Sequence, residues 1–180
     1  MWLLVKSTAR SDDHALSGSD VQGRNPQLTS PYIIDSIIES AVGLVLVEAG
    51  SRSNAMTVSF FSEVAHHPTA LWISISKDSH THALVEEAGK FSLAVLTQQQ
   101  RAIALRCGTL SGKDHDKCAS LDLYKSPSGF LFLRGALAST ACSVRESISL
   151  GDHTLFVGDI LESQLDSRKA HLRHLLLSDL

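Results

Sequence analysis

The chain has 180 residues, 43% of them hydrophobic, and a formal net charge of -3, which is enough for one domain with a sizeable core. That charge argues against nucleic acid as the main partner, because binding a phosphate backbone wants a clustered basic surface. No apolar stretch reaches bilayer length, and the opening run Met1–Lys6 is too short and lacks a small-residue cleavage pattern, so no membrane contact and a cytoplasmic location are expected.

Residues 7–30 are rich in Ser, Asp, Gly and Asn without an apolar period. Residues 1–30 are therefore expected to form a flexible N-terminal segment, and 31–180 a single domain. Ser30 and Pro31 read as the N-cap and first position of a short helix through Ile38. Gly43–Val47 reads as a buried strand with Glu48–Arg52 as its turn. Strand character returns over Ala55–Glu63 and Ala70–Ser76, on either side of Pro68. Thr81–Ala88 is an amphipathic helix stopped by Gly89, followed by a strand over Phe91–Leu96 and a helix over Gln98–Cys107 that ends at Gly108. Phe130–Leu133 and Ala136–Val144 read as a hairpin turning at Arg134-Gly135. A strand over His153–Ser163 and a terminal helix over Asp166–Leu177 complete the chain. The sum is a mainly β fold with short helices, suited to a small barrel.

Cys107, Cys118 and Cys142 are odd in number and irregular in spacing, so free thiols are expected rather than a disulfide framework. Nine histidines raise the question of a metal, but none is expected. Adjacent His66 and His67 point to opposite faces of a strand, and His171 and His174 share a helix face without a third ligand.

The polar residues gather in three segments: Ser51–Ser59, Lys77–Thr81 and Ser111–Lys117. Each is dense in hydroxyls, amides and small residues and sits between apolar runs. Such segments suit a planar, phosphorylated ligand held by backbone and hydroxyl donors. Each also has a plain reading: a polar hairpin, a helix cap without a ligand, and a solvated charged loop.

The stretch NAMTVSFFSEVAHHPTALWISI, Asn54 to Ile75, resembles the flavin reductase-like, FMN-binding split-barrel family. The resemblance spans about Ile37 to Glu162 and implies a split β-barrel homodimer. It implies FMN, or FAD, as cofactor and NAD(P)H as co-substrate. Asn54, Ala55, Met56, Thr57 and Ser59 would line the flavin ring, with Ser62 beside them. Ser79, His80 and Thr81 would open a helix onto the flavin phosphate, since a helix N-terminus presents free N–H groups to an anion. Ser111 and Lys117 would contribute from the third segment, Lys117 as a phosphate contact. In the triplet Gly151-Asp152-His153, His153 would meet the nicotinamide and Asp152 would orient its ring. The implied chemistry is hydride transfer from NAD(P)H to bound flavin, then onward to free flavin, a partner oxygenase or another acceptor.

Two departures mark the resemblance: the first removes one possible flavin contact, and the second favours the alternative of an FMN-binding electron-carrier module without NAD(P)H turnover. Ala94 stands where many relatives carry Asn, and the chain stops at Leu180 without a Pro-Leu-Leu-Tyr-like segment. An oxidase of the pyridoxamine-phosphate type is a further alternative, but it would want an Arg-rich cluster for a second phosphorylated substrate.

Overall fold

The computed structural model describes residues 40–166. The helix read over residues 31–38, the flexible segment 1–30, His171, His174 and all but the first residue of the terminal helix lie outside the described residues.

The strands are β1 (Gly43–Ala49), β2 (Arg52–Val58), β3 (Phe61–His66), β4 (Thr69–Ser76), β5 (Lys90–Val95), β6 (Leu123–Lys125), β7 (Leu131–Leu133), β8 (Ala138–Leu150) and β9 (His153–Leu165). Helix α1 (His80–Ala88) follows β4, and α2 (Arg101–Thr109) follows β5 after a single 3-10 turn. Seven strands form one sheet in the order β2-β1-β5-β8-β9-β4-β3, with β6 and β7 paired separately. Every pairing is antiparallel.

Strand β1 is an apolar run from Gly43 to Val47 because both of its faces are covered. Val45 and Val47 face one core with Ile73, Ile75, Phe91, Phe156 and the α1 residues Leu84 and Val85. Leu44 and Leu46 face a second core with Ala55, Ala94, Leu96 and the α2 residues Ala104 and Cys107. Successive side chains alternate across a strand, so a strand covered on both faces reads as a continuous apolar run. The sheet is strongly curved. A Cβ on Gly43 of β1 would lie 2.9 Å from the ring of Phe61, which opens the opposite edge strand β3.

The expected hairpin between Phe130–Leu133 and Ala136–Val144 is not formed. Strand β7 pairs with β6, while β8 pairs with β5 and β9. Gly135 does turn the chain, with φ 74°, but it passes the chain from one sheet to the other. Local pattern supplies a turn and two apolar runs, and pairing depends on distant partners. Helix α2 also continues through Gly108 to Thr109, and Gly108 lies against Thr57.

Candidate functional site

The three polar segments meet at Asn54. Its side chain is buried, and Nδ2 donates to Thr81 Oγ1 of α1 at 2.8 Å. From the third segment, Gly112 approaches so closely that a Cβ there would lie 2.4–2.7 Å from the Asn54 amide. A side chain at that point would force the loop or the Asn54 amide to move.

Helix α1 begins where Ser79 takes extended backbone angles and its Oγ accepts from His82 N at 3.1 Å. The N–H of Ser79 donates to Ser76 O at 3.0 Å. The N–H groups of His80 and Thr81 have no acceptor among the described residues. Both point out of the helix start, where the dipole favours an anion. The hydroxyls themselves are engaged inside the protein: Ser79 caps the helix, and Thr81, with 1% of its surface exposed, accepts from Asn54. What this segment offers an anion is therefore its backbone.

Lys77 ties the start of α1 to the turn between β8 and β9. Its Nζ donates to Ser149 Oγ at 2.7 Å and Gly151 O at 2.5 Å, and its backbone N–H donates to Asp152 O at 2.9 Å. In that turn Gly151 adopts φ 55°, a left-handed conformation that favours glycine. His153 Nδ1 lies 2.8 Å from Asp152 Oδ1, and the hydrogen bond to His153 holds the Asp152 carboxyl below its ordinary pKa. The ring of Phe60, next to Ser59, stands 6.2 Å from the His153 ring.

Along β2 the expected contacts divide between the two faces of the strand. Met56 packs on the core that holds α1, while Ala55 belongs to the opposite core. Thr57 also faces α2, where its Oγ1 donates to Ala104 O at 2.7 Å. Side chains at all these positions cannot meet one ligand together, although their backbone can. Ser59 is half-buried at the corner between β2 and β3. Ser62 is exposed opposite Trp72, on the face away from Phe61.

In the third segment, exposed Ser111 turns the loop. Its Oγ accepts from Lys113 N at 3.1 Å, and its carbonyl accepts from the N–H groups of Asp114 and His115 at 3.2 and 3.1 Å. Lys117 departs from its expected role as a phosphate contact. It is buried, and its ammonium donates to Cys107 O and Leu110 O at 3.2 and 3.3 Å, closing the C-terminal end of α2. A cation at a helix C-terminus satisfies carbonyls that have no partner within the helix. Burial pushes its pKa down.

His82 is a buried polar residue that the sequence reading absorbed into an amphipathic helix. Its Nε2 lies 2.7 Å from Thr154 Oγ1 on β9, Nδ1 lies 3.5 Å from Glu86 Oε2, and the ring stands 5.3 Å from Phe156. It locks α1 to the strand that carries His153. No local pattern signals that role, because its partner Thr154 lies far along the chain.

Burial raises the pKa of all three cysteines, that of Cys142 to about 12, so these thiols stay protonated and unreactive near neutrality. Among the described residues no group of His, Cys, Asp and Glu is arranged to hold a metal ion, and no helix is long and apolar enough to cross a membrane. A cleft of about 380 Å³ lies at the other end of α1, lined by Glu48, Glu87, Lys90 and Lys125, and it includes none of the residues gathered at Asn54.

The flavin reductase like domain family matches residues 36–178, and the chain belongs to that family. An uncharacterized protein of Archaeoglobus fulgidus is 32% identical over 124 residues, 65% of this chain and 68% of that protein. The NADH:FAD oxidoreductase SgcE6 of Streptomyces globisporus superposes with a TM-score of 0.73 at 23% identity, covering 82% of this chain and 92% of its own. BorF, the flavin reductase component of a bacterial two-component tryptophan halogenase, superposes with a TM-score of 0.72 at 26% identity, covering 78% of this chain and 89% of its own.

Proposed function

We propose that this protein is an FMN-dependent NAD(P)H:flavin oxidoreductase of the split-barrel type. The observation that carries the reading is the meeting of the three polar segments at Asn54, with the Gly151-Asp152-His153 turn tied to the same helix by Lys77. The donor set suits a flavin nucleotide. Free N–H groups of His80 and Thr81 would take the phosphate, and the backbone from Asn54 to Ser59 offers donors and acceptors for the pyrimidine edge. A bound flavin, FMN or FAD, supplies the redox chemistry by accepting a hydride from NADH or NADPH.

The chain's own contribution is positioning. Asp152 fixes the ring of His153, and His153, with 22% of its side chain exposed, remains accessible to a nicotinamide. No proton need move at His153 for hydride transfer, so its role is to stack on or hydrogen-bond the nicotinamide. Ile148, Leu150 and Leu161 expose apolar surface on the long hairpin of β8 and β9, which supports pairing with a second copy. Delivery of reduced flavin to free flavin or a partner oxygenase, in the cytoplasm, completes the reading. The name of BorF supports a two-component arrangement of this kind.

The test is anaerobic mixing of flavin-loaded protein with NADH and with NADPH. Bleaching of the flavin absorbance band is expected. An unchanged band with both nucleotides would leave an electron carrier, and a protein that takes up no flavin would sink both readings.

A further inference from the structure

Arg101 is half-buried, and part of its guanidinium has no partner in the fold. Nε and Nη2 of its guanidinium are closed off from solvent and have no hydrogen-bond partner among the described residues. Burying guanidinium N–H groups without an acceptor is costly, and such groups persist where an acceptor joins them.

The position of Arg101 follows from the packing of α2. As the first residue of that helix it shares a face with Ala104 and Gly108, at spacings of three and seven. That face lies on β2: Thr57 donates to Ala104 O, and a Cβ on Gly108 would lie 3.5 Å from Thr57 Cβ. Just beyond the helix, Gly112 reaches Asn54, nearer the start of β2. The helix thus runs antiparallel to β2, and its first turn comes to the corner at Ser59 and Phe60. The chain entering α2 agrees, since Leu96 N donates to Val42 O at 2.9 Å and Val58 pairs with Gly43. Phe60 in turn stands beside His153. The two unanswered nitrogens therefore belong to the end of the site proposed for the flavin ring.

We propose that Arg101 recognises the pyrimidine edge of the bound flavin, its Nε and Nη2 donating to the N1 and C2-carbonyl side. This rests on the flavin reading above. Arginine suits the task because its planar fork presents two parallel donors to two adjacent acceptors. Negative charge collects on that edge when flavin is reduced, so a fixed cation there favours the reduced form.

The experiment titrates oxidised and reduced FMN, anaerobically, into the full-length apoprotein and into Arg101→Gln and Arg101→Lys. In Arg101→Gln the ratio of oxidised to reduced dissociation constants is expected to fall about tenfold, equivalent to about 30 mV in the two-electron midpoint potential. In Arg101→Lys, which keeps the charge and loses the fork, a fall of roughly two- to five-fold is expected. An unchanged ratio, or equal weakening of both redox forms, overturns the role of Arg101 while leaving the flavin reading intact. A change in oligomeric state with unchanged flavin affinities also overturns it, in favour of a carboxylate from a second copy. Should Arg101→Gln fail to fold, Arg101→Lys decides alone by the same ratio. A native protein that binds neither form overturns both this role and the reading it rests on.

Discussion

Asn54 Nδ2 donates to Thr81 Oγ1 at 2.8 Å, joining β2 to α1 inside the protein. Both side chains are buried, so neither can turn to water if the other is removed. Asn54→Ala and Thr81→Val should each lower stability by about 1–3 kcal/mol. The double variant should lose less than the sum, by at least ~0.5 kcal/mol. Urea unfolding of the four proteins measures this, and strict additivity would show that the two residues act independently.

Gly112→Ala tests the approach of the third segment. The added methyl would fall 2.4–2.7 Å from the Asn54 amide, so either the loop or the amide must move. Overpacking of this kind costs about 1–3 kcal/mol. Flavin affinity should fall as well, since displacement of Asn54 reaches Thr81 and the helix start. Fluorescence titration of FMN reads the second effect. Unaltered affinity would separate the Gly112 loop from the ligand site.

The pair Asp152–His153 should govern turnover more than flavin retention. His153→Ala is expected to slow anaerobic flavin reduction about tenfold or more, with the FMN dissociation constant changed less than threefold. The Asp152 carboxyl is held below its ordinary value, 3.8, chiefly by the hydrogen bond to His153. A carboxyl depressed in the folded state contributes stability above its unfolded pKa and loses it as pH falls through the folded value. Asp152→Asn should therefore lower stability above about pH 4, where the carboxylate contributes in full, and converge on the native protein as pH falls through the folded value. Unfolding curves collected from pH 2 to 7 give the comparison.

Lys117 distinguishes a helix-closing role from a phosphate contact. Lys117→Met leaves the Cys107 and Leu110 carbonyls without their ammonium donor. A loss of about 1–3 kcal/mol in stability is expected, with FMN affinity changed less than twofold. A marked loss of FMN affinity in a stable variant would restore the phosphate role.

Much of the β framework was legible because covered strands announce themselves. The run Gly43–Val47 and the alternation in Ala70–Ser76 each appear as strands in place. Helix α1 was equally readable from its Ser79 cap and its Gly89 stop, and Gly89 adopts φ 61° as that stop requires. The pairing of β8 was not readable, because its partners β5 and β9 are chosen by core packing far along the chain. At the site, the polar segments were visible as composition, but the roles of Lys117, Thr81 and His82 were not. A lysine that caps a helix and one that binds phosphate look alike until the burial of the ammonium is known.

Sequence alone determined most of the strand and helix stretches, though it ran β2 and β3 together over Ala55–Glu63 and missed β6, and it showed that the polar residues fall in three groups and that a glycine-bounded Asp-His pair enters a late strand. These are properties of periodicity, capping and backbone permission, all set within a few neighbouring residues. Only the tertiary structure decided that Asn54, Thr81 and Gly112 share one point, that Lys117 faces a helix end, and that two guanidinium nitrogens of Arg101 are buried without a partner. Those outcomes depend on how the sheet curves and how α1 and α2 settle on its opposite faces, and contacts between residues tens of positions apart set that geometry.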